Sequence, residues 1–175
     1  LELGPQLNKA FLEPMVLALI MLLSQELPVP AATRLARGDI LVATSKSHDP
    51  ELGHAVILLV RFDQDGAIGL ILNHPNGKAY EGGPVALGIR TLVRSRTKPD
   101  GAELVAGDVY ILPGLVERTG ARVYGGYTGW SAQQLKDEVA RGLWKIRAFD
   151  SKIVFDAQPA TLWDRLNGAP KPGVR

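Results

Sequence analysis

The sequence contains no cysteine, which excludes disulfides, a thiolate nucleophile and any Cys-ligated zinc, and with them redox work and the zinc-finger mode of DNA binding. An excess of either charge is missing as well. With 20 Lys and Arg against 18 Asp and Glu, the formal charge is only +2, so neither a strongly basic nucleic-acid domain nor a disordered, self-repelling chain is indicated. The apolar run at residues 15–23 is too short to cross about 30 Å of hydrocarbon as a helix, which takes about 20 residues, so no stable transmembrane anchor is expected. Between residues 38 and 166 there is no recognisable catalytic triad, phosphate-binding loop or metal cluster, so the sequence describes a compact domain better than it describes a task.

What is present is a chain of 175 residues that is 46% apolar and 22% charged, enough for one sizeable core and an ordinary surface. Residues 1–34 read as an N-terminal extension, 35–168 as the folded body and 169–175 as a tail. The apolar run is followed by Ser24-Gln25-Glu26 and then Pro28-Val29-Pro30-Ala31-Ala32. A secretory signal has this order of apolar core, helix breaker and small residues, and an exported chain would then begin near Ala32 or Thr33. Against that, Lys9 is the only positive charge upstream and stands between Glu2 and Glu13. The alternative is a docking helix, with Phe11 or Leu12, Val16, Leu19 or Ile20 and Leu23 recurring at helical steps.

In the body, Ile40-Leu41-Val42-Ala43 reads as a short strand, and residues 55–60 as a central strand because the run is continuously apolar and rich in branched residues. Asp63-Gln64-Asp65-Gly66 is a turn that joins it to a strand at residues 67–72, giving an antiparallel hairpin. Asn73-His74-Pro75-Asn76-Gly77 closes that strand. Gly82-Gly83-Pro84 precedes a strand over residues 85–94, in which Leu87, Ile89, Thr91 and Val93 are expected to face the core and Arg90 and Arg94 water. After the turn Lys98-Pro99-Asp100-Gly101 comes a strand at residues 109–112, and residues 125–130 read as a glycine loop. Ser131 and Gln134 form a capping box that starts a helix carrying Leu135 and Val139, with Gly142 as its stop. Residues 144–146 and 153–155 read as strands, and Pro159 opens a last helix with Leu162, Trp163 and Leu166. Hairpin-spaced strands with two or three helices and no βαβ rhythm indicate an α+β domain built on an antiparallel sheet.

Each chemically suggestive group has a plainer reading. His48, His54 and His74, with Asp49, Asp63 and Asp65 near them in sequence, lack the spacing of a metal site. Ser45, Ser47, His48 and Asp49 have the residue types of a triad, but neighbours on one loop do not give its alignment. Asp63-Gln64-Asp65-Gly66 begins like a calcium loop and lacks its closing glutamate. The glycine pairs Gly82-Gly83 and Gly125-Gly126 lack the residues of a phosphate loop and better serve close backbone approach. Arg90, Arg94, Arg96 and Lys98 form the one notable basic cluster, without a recognition helix or aromatic platform beside it.

The motifs Gly38-Asp39-Ile40-Leu41-Val42-Ala43, Ala67-Ile68-Gly69-Leu70-Ile71-Leu72-Asn73-His74-Pro75, Gly82-Gly83-Pro84-Val85 and Gly126-Tyr127-Thr128-Gly129-Trp130, then Gln134-Leu135, Glu138, Trp144, Phe155-Asp156 and Leu162-Trp163, resemble the YqgE/AlgH family over residues 35–166. The resemblance implies a small α+β fold with a barrel-like antiparallel sheet and a cytoplasmic location. It implies no catalytic residue, because the family's biochemical function is unestablished, although some members carry a transcriptional-regulator label tied to alginate production. The chain departs from the family pattern in having Asn73-His74-Pro75 for Asn-Lys-Pro and Ile89-Arg90 where a histidine is usual. Only six residues separate Pro75 from Gly82, where the family has a helical segment, and residues 112–123 are also short.

The leading expectation is a non-enzymatic binding or regulatory domain with a protein partner and no cofactor or metal. Its surface is formed by Asn73, His74, Gly82, Gly83, Pro84, Tyr127, Gly129 and Trp130. The alternatives are nucleic-acid binding through Arg90, Arg94, Arg96 and Lys98, and a small hydrolase or metal-dependent enzyme using one of the three histidines.

Overall fold

The computed structural model describes residues 34–168. The apolar run at 15–23, with its signal or docking reading, and the tail at 169–175 lie outside the described residues. Among the described residues, ten strands and three short α-helices follow in the order β1 (Ile40–Ala43), β2 (Val56–Asp63), β3 (Gly66–Ile71), β4 (Pro75–Asn76), β5 (Ala79–Glu81), β6 (Val85–Arg94), β7 (Glu103–Ala106), β8 (Val109–Pro113), β9 (Arg122–Trp130), α1 (Ala132–Ala140), β10 (Trp144–Arg147), α2 (Ser151–Val154), a 3-10 turn (Pro159–Thr161) and α3 (Leu162–Asn167). The main sheet runs β10-β1-β2-β3-β9-β6-β8-β7. It is antiparallel throughout and curls into a half-barrel, so the fold is α+β as expected.

The β2–β3 hairpin forms where the turn residues place it. Asp63 Oδ1 accepts the Asp65 and Gly66 N–H groups at 2.9 and 3.2 Å, and Gly66 takes a positive φ of 149°. Ile40, Val42, Val56, Leu58, Val60, Leu70 and Leu72 then face the interior of the curl, where they meet Leu92, Val109 and Tyr124 from the other half. Leu41, Ala43, Ile57, Leu59, Ala67 and Ile71 face outward against Trp130, Leu135 and Trp144. Burial on both faces is the reason residues 55–60 are continuously apolar.

β9 joins the two halves, pairing with β3 through Ala67↔Trp130 to Gly69↔Thr128 and with β6 through Val85↔Tyr127 and Ile89↔Gly125 to Leu92↔Arg122. Residues 125–130 are therefore strand and not the expected loop. The glycines there answer to closeness: Gly82 N–H donates to the Gly125 carbonyl at 2.8 Å, while its own carbonyl accepts from Ile71 N–H at 3.0 Å. Gly82 thus bridges β3 and β9 where they diverge. Gly126 adopts φ 72°, and a methyl group on it would stand 2.7 Å from the Val85 carbonyl oxygen.

Three other expectations give way to tertiary context. Leu87 and Ile89 are 67% and 50% exposed, because the β6–β9 register shifts between Val85 and Ile89 and Gly88 turns to φ 75°. Alternation fails across such a shift. The buried part of β6 is Thr91-Leu92-Val93, flanked by β8 and β9. Residues 153–155 are not a strand: Asp150 accepts the Lys152 N–H at 2.8 Å and starts α2, which buries Val154. The short stretch after Pro75 folds as the small β4–β5 hairpin, from which β5 pairs in parallel with β9. β7 was not anticipated.

The C-terminal helices are tied down by charge. Arg122 donates to the Val154 and Asp156 carbonyls and lies over the Tyr80 and Phe155 rings. Arg165 grips the Asp156 carboxylate at 2.6 and 3.0 Å. Partial burial of Asp156 opposes its ionisation. The Arg165 hydrogen bonds, the Gln158 N–H and the positive charges of Arg165 and Arg122 outweigh that, and they hold the carboxyl below the ordinary aspartate value.

Two outcomes are expected. Gly126→Ala should destabilise by about 1–3 kcal/mol from backbone strain alone. Gly125→Ala, with φ not positive and no atom within 4 Å of the added methyl, should stay within about 0.5 kcal/mol; denaturant titration of the pair checks this. Because the Asp156 pKa is depressed in the fold, its contribution is present above the unfolded value and is lost as pH falls through the folded one. The melting-temperature gap between the parent and Asp156→Asn should be full near neutrality and narrow as the pH falls below the ordinary aspartate value.

Candidate functional site

The end of β9 and the start of α1 build one wall of a cleft. Ser131 Oγ accepts the Gln134 N–H at 3.1 Å and begins the helix, which places Gln134 and Glu138 one turn apart on the same face. The Gln134 side chain does not return to the cap as a full capping box would; its amide donates to Glu138 Oε1 at 3.0 Å. Glu138 Oε2 accepts two indole N–H groups, from Trp130 at 3.1 Å and from Trp144 at 2.8 Å. The two rings meet edge to face with centroids 6.1 Å apart. Residues 130, 134 and 144 thus converge on the one carboxylate of Glu138.

The opposite wall is the 46–52 loop. Asp49 stiffens it by accepting the Glu51 and Leu52 N–H groups at 2.8 and 2.9 Å. Thr44 Oγ1 fastens its base to the Gly142 carbonyl at 2.7 Å, at the end of α1. Between the walls lies a cleft of about 460 Å³, with Trp130, Trp144, Leu52 and Leu143 as apolar lining and Lys46 and His48 among its polar groups. Thr128, which also lines the cleft, is buried and its hydroxyl has no hydrogen-bond partner among the described residues. A concave, mainly apolar space with a few polar groups is the usual form of a binding site.

A second hollow of about 370 Å³ lies beside the first and shares Pro84 with it. Pro50 and Glu51 of the same loop line it, with His74, Glu81 and Gly83. Partial burial holds the His74 pKa below the ordinary value despite the opposing charge of Glu81.

The structure places Pro84, Gly129 and Trp130 on the first hollow and His74, Gly83 and Pro84 on the second. The other expected surface residues stand elsewhere. Asn73 is buried; its side chain accepts the Val56 N–H at 2.8 Å and donates to the His54 carbonyl at 2.9 Å, clamping the β2–β3 end. Gly82 is wedged between strands, and the Tyr127 ring carries the Arg90 guanidinium at 4.9 Å. The basic cluster is divided: Arg94 pairs with Asp108 at 2.8 Å, Arg96 and Lys98 are exposed on the following loop, and Arg90 lines a separate cavity. His48 lines the cleft and His54 packs edge to face on Trp163. Among the described residues, no group of three or more His, Asp or Glu side chains is placed to hold a metal ion, and no helix is long and apolar enough to cross a membrane. Sequence reasoning reached Thr128 only as part of the 127–130 segment, and it missed the 46–52 loop as a wall and the role of Glu138. The spacing of Glu138 from two tryptophans was the available signal.

Beyond geometry, the AlgH-like family model matches residues 40–169. The chain belongs to the AlgH-like family. A UPF0301 protein of Streptomyces avermitilis is 30% identical over 159 positions, covering 72% of this chain and 82% of the relative. One from Methylococcus capsulatus is 29% identical over 168 positions, covering 78% and 92%. These aligned spans are longer than the share of this AlgH-like chain that enters them, so the chain is shorter than these relatives within the matched region. For the fold, an X-ray structure from Corynebacterium diphtheriae gives a TM-score of 0.65 at 20% identity, covering 79% of this chain and 90% of that one. The solution structure of the AlgH protein from Pseudomonas aeruginosa gives 0.59 at 23%, covering 79% and 89%.

Removing the shared acceptor should expose its structural role. Glu138→Ala leaves two indole donors unpaired in walls only 8% and 5% exposed, at about 1–3 kcal/mol for each buried donor. Glu138→Gln keeps one acceptor and should recover part of that loss. Thermal melts with tryptophan emission as a second readout check both.

Proposed function

We propose that this AlgH-like chain is a non-catalytic recognition domain that holds an extended segment of a protein partner. The groove runs from the indole-walled cleft past Pro84 to the hollow beside His74. The observation that carries this reading is the adjacency of the two hollows, which share Pro84 and are flanked by one loop. An elongated groove with apolar lining and polar edges suits a peptide in extended form, whose side chains enter successive hollows and whose backbone finds polar partners at the rim.

The chemistry of the walls supports recognition over reaction. Glu138 is occupied by three donors and serves as a tie between the helix and the sheet. Among the described residues, no histidine side chain is hydrogen-bonded to a carboxylate, the contact that would orient a general base. Lys46, Ser47 and His48 are the polar groups of the cleft lining that a bound backbone would meet at the rim.

Selection from a displayed random-peptide library on the intact chain tests the reading, followed by affinity measurements on Pro84→Glu and Ser47→Tyr, two changes at the groove edge. The selected peptides should bind these variants about tenfold more weakly or worse, a loss of about 1.4 kcal/mol or more, with the thermal melt unchanged. Peptides that bind both variants as they bind the parent would refute the groove. So would hydrolysis of an ester or phosphoester panel at a rate abolished by His48→Ala.

A further inference from the structure

The interior of the curled sheet opens at one end into a cavity of about 510 Å³, away from the indole cleft. Its floor is Val60, Ile68 and Ile111, which also belong to the interior core. Its rim carries three arginines, Arg37, Arg61 and Arg90. The bulge between Leu59 and Arg61 explains how consecutive residues of β2, one apolar and one charged, line the same space, since an extra residue re-aims the side chains on either side of it.

The rim has one positive charge in excess. Arg37 pairs with Glu103 at 3.0 Å and Arg61 with Asp63 at 2.9 Å. Both pairs are solvent-exposed and hence weakly held. Among the described residues, Arg90 forms no salt bridge. Its guanidinium rests on the Tyr127 ring at 4.9 Å and makes only a long 3.5 Å contact with the Leu87 carbonyl. A guanidinium held by its face on an aromatic ring keeps its N–H edge free and oriented for an oxyanion. The exposed Ile89 extends the apolar lining outward.

From this arrangement we infer that the mouth of the half-barrel binds a small amphipathic anion with a single negative charge. The carboxylate-like head is taken by Arg90 and the apolar body lies on Val60, Ile68 and Ile111. One unpaired guanidinium over an apolar floor complements that chemistry better than it complements a polyanion such as DNA, which needs a row of unpaired cations. The mouth of a β-barrel is a recurrent place for such ligands. This site is independent of the peptide groove and stands whether or not that groove is occupied.

The test is an amide-shift titration of the intact chain with octanoate, with acetate, octanol and a DNA duplex as comparison ligands. Octanoate should shift the amides of residues 88–90, 111 and 112 saturably, and acetate and octanol should each bind about tenfold more weakly or worse. Arg90→Gln should weaken octanoate about tenfold or more, as loss of a charge-assisted hydrogen bond does. Arg94→Gln, whose side chain is committed to Asp108, should leave binding as it is. Unaltered binding by Arg90→Gln, shifts confined to the Trp130–Trp144 cleft, or acetate as strong as octanoate would each overturn the inference. Displacement of octanoate by the duplex with a steep salt dependence would assign Arg90 to nucleic acid and overturn it as well.

Discussion

The strand Arg122–Trp130 holds two half-sheets together only because the backbones crossing it approach without side chains in the way. Gly82, Gly83 and Gly126 lie at the crossing, and at each of them an added methyl would run into neighbouring backbone. Once that approach is made, β3 and β6 each satisfy part of β9, and Gly82 fills the gap where they part. The interior core gathers around this line because Leu58, Leu70, Leu92 and Tyr124 reach it from both halves. The curl of the sheet and the two faces of its core follow from the same contact.

The same strand also sets the candidate sites. Its last residues, Thr128 to Trp130, become the floor and wall of the indole cleft, and its middle places Tyr127 under Arg90. Tyr127 packs against the interior core and Trp130 against the outer one, so one strand contributes to both sites from its two faces. Glu138 then converts a surface helix into part of the scaffold, because a carboxylate that accepts two indoles fixes the helix, β9 and β10 against one another.

Local signals were legible in the sequence. The Asp63-Gln64-Asp65-Gly66 turn, the Ser131 cap and the Gly142 stop each act within a few residues, and each appears in the fold where the residues placed it. What escaped was decided by distant partners. Residues 125–130 read as a loop because glycine usually marks one, yet here glycine admits a neighbouring backbone. Leu87 and Ile89 read as core because alternation was carried through Gly88, the one residue of β6 that marks the register shift. Residues 153–155 are too few for periodicity to separate strand from helix. For the site, the adjacency of Pro84 to Trp130 was anticipated through the glycine motifs. The 46–52 loop was not, since its place in the wall depends on Thr44 reaching the end of α1 98 residues later.

The strand order carries a consequence for synthesis of the chain. β1 pairs on one edge with β2 and on the other with β10, through Ile40↔Arg147 to Ala43↔Trp144. Its second neighbour is therefore translated about a hundred residues later, a delay of roughly 5–20 s at about 5–20 residues per second on the ribosome. Throughout that interval β1 has an apolar edge with open hydrogen-bonding groups, the kind of edge that pairs with other chains until β10 covers it.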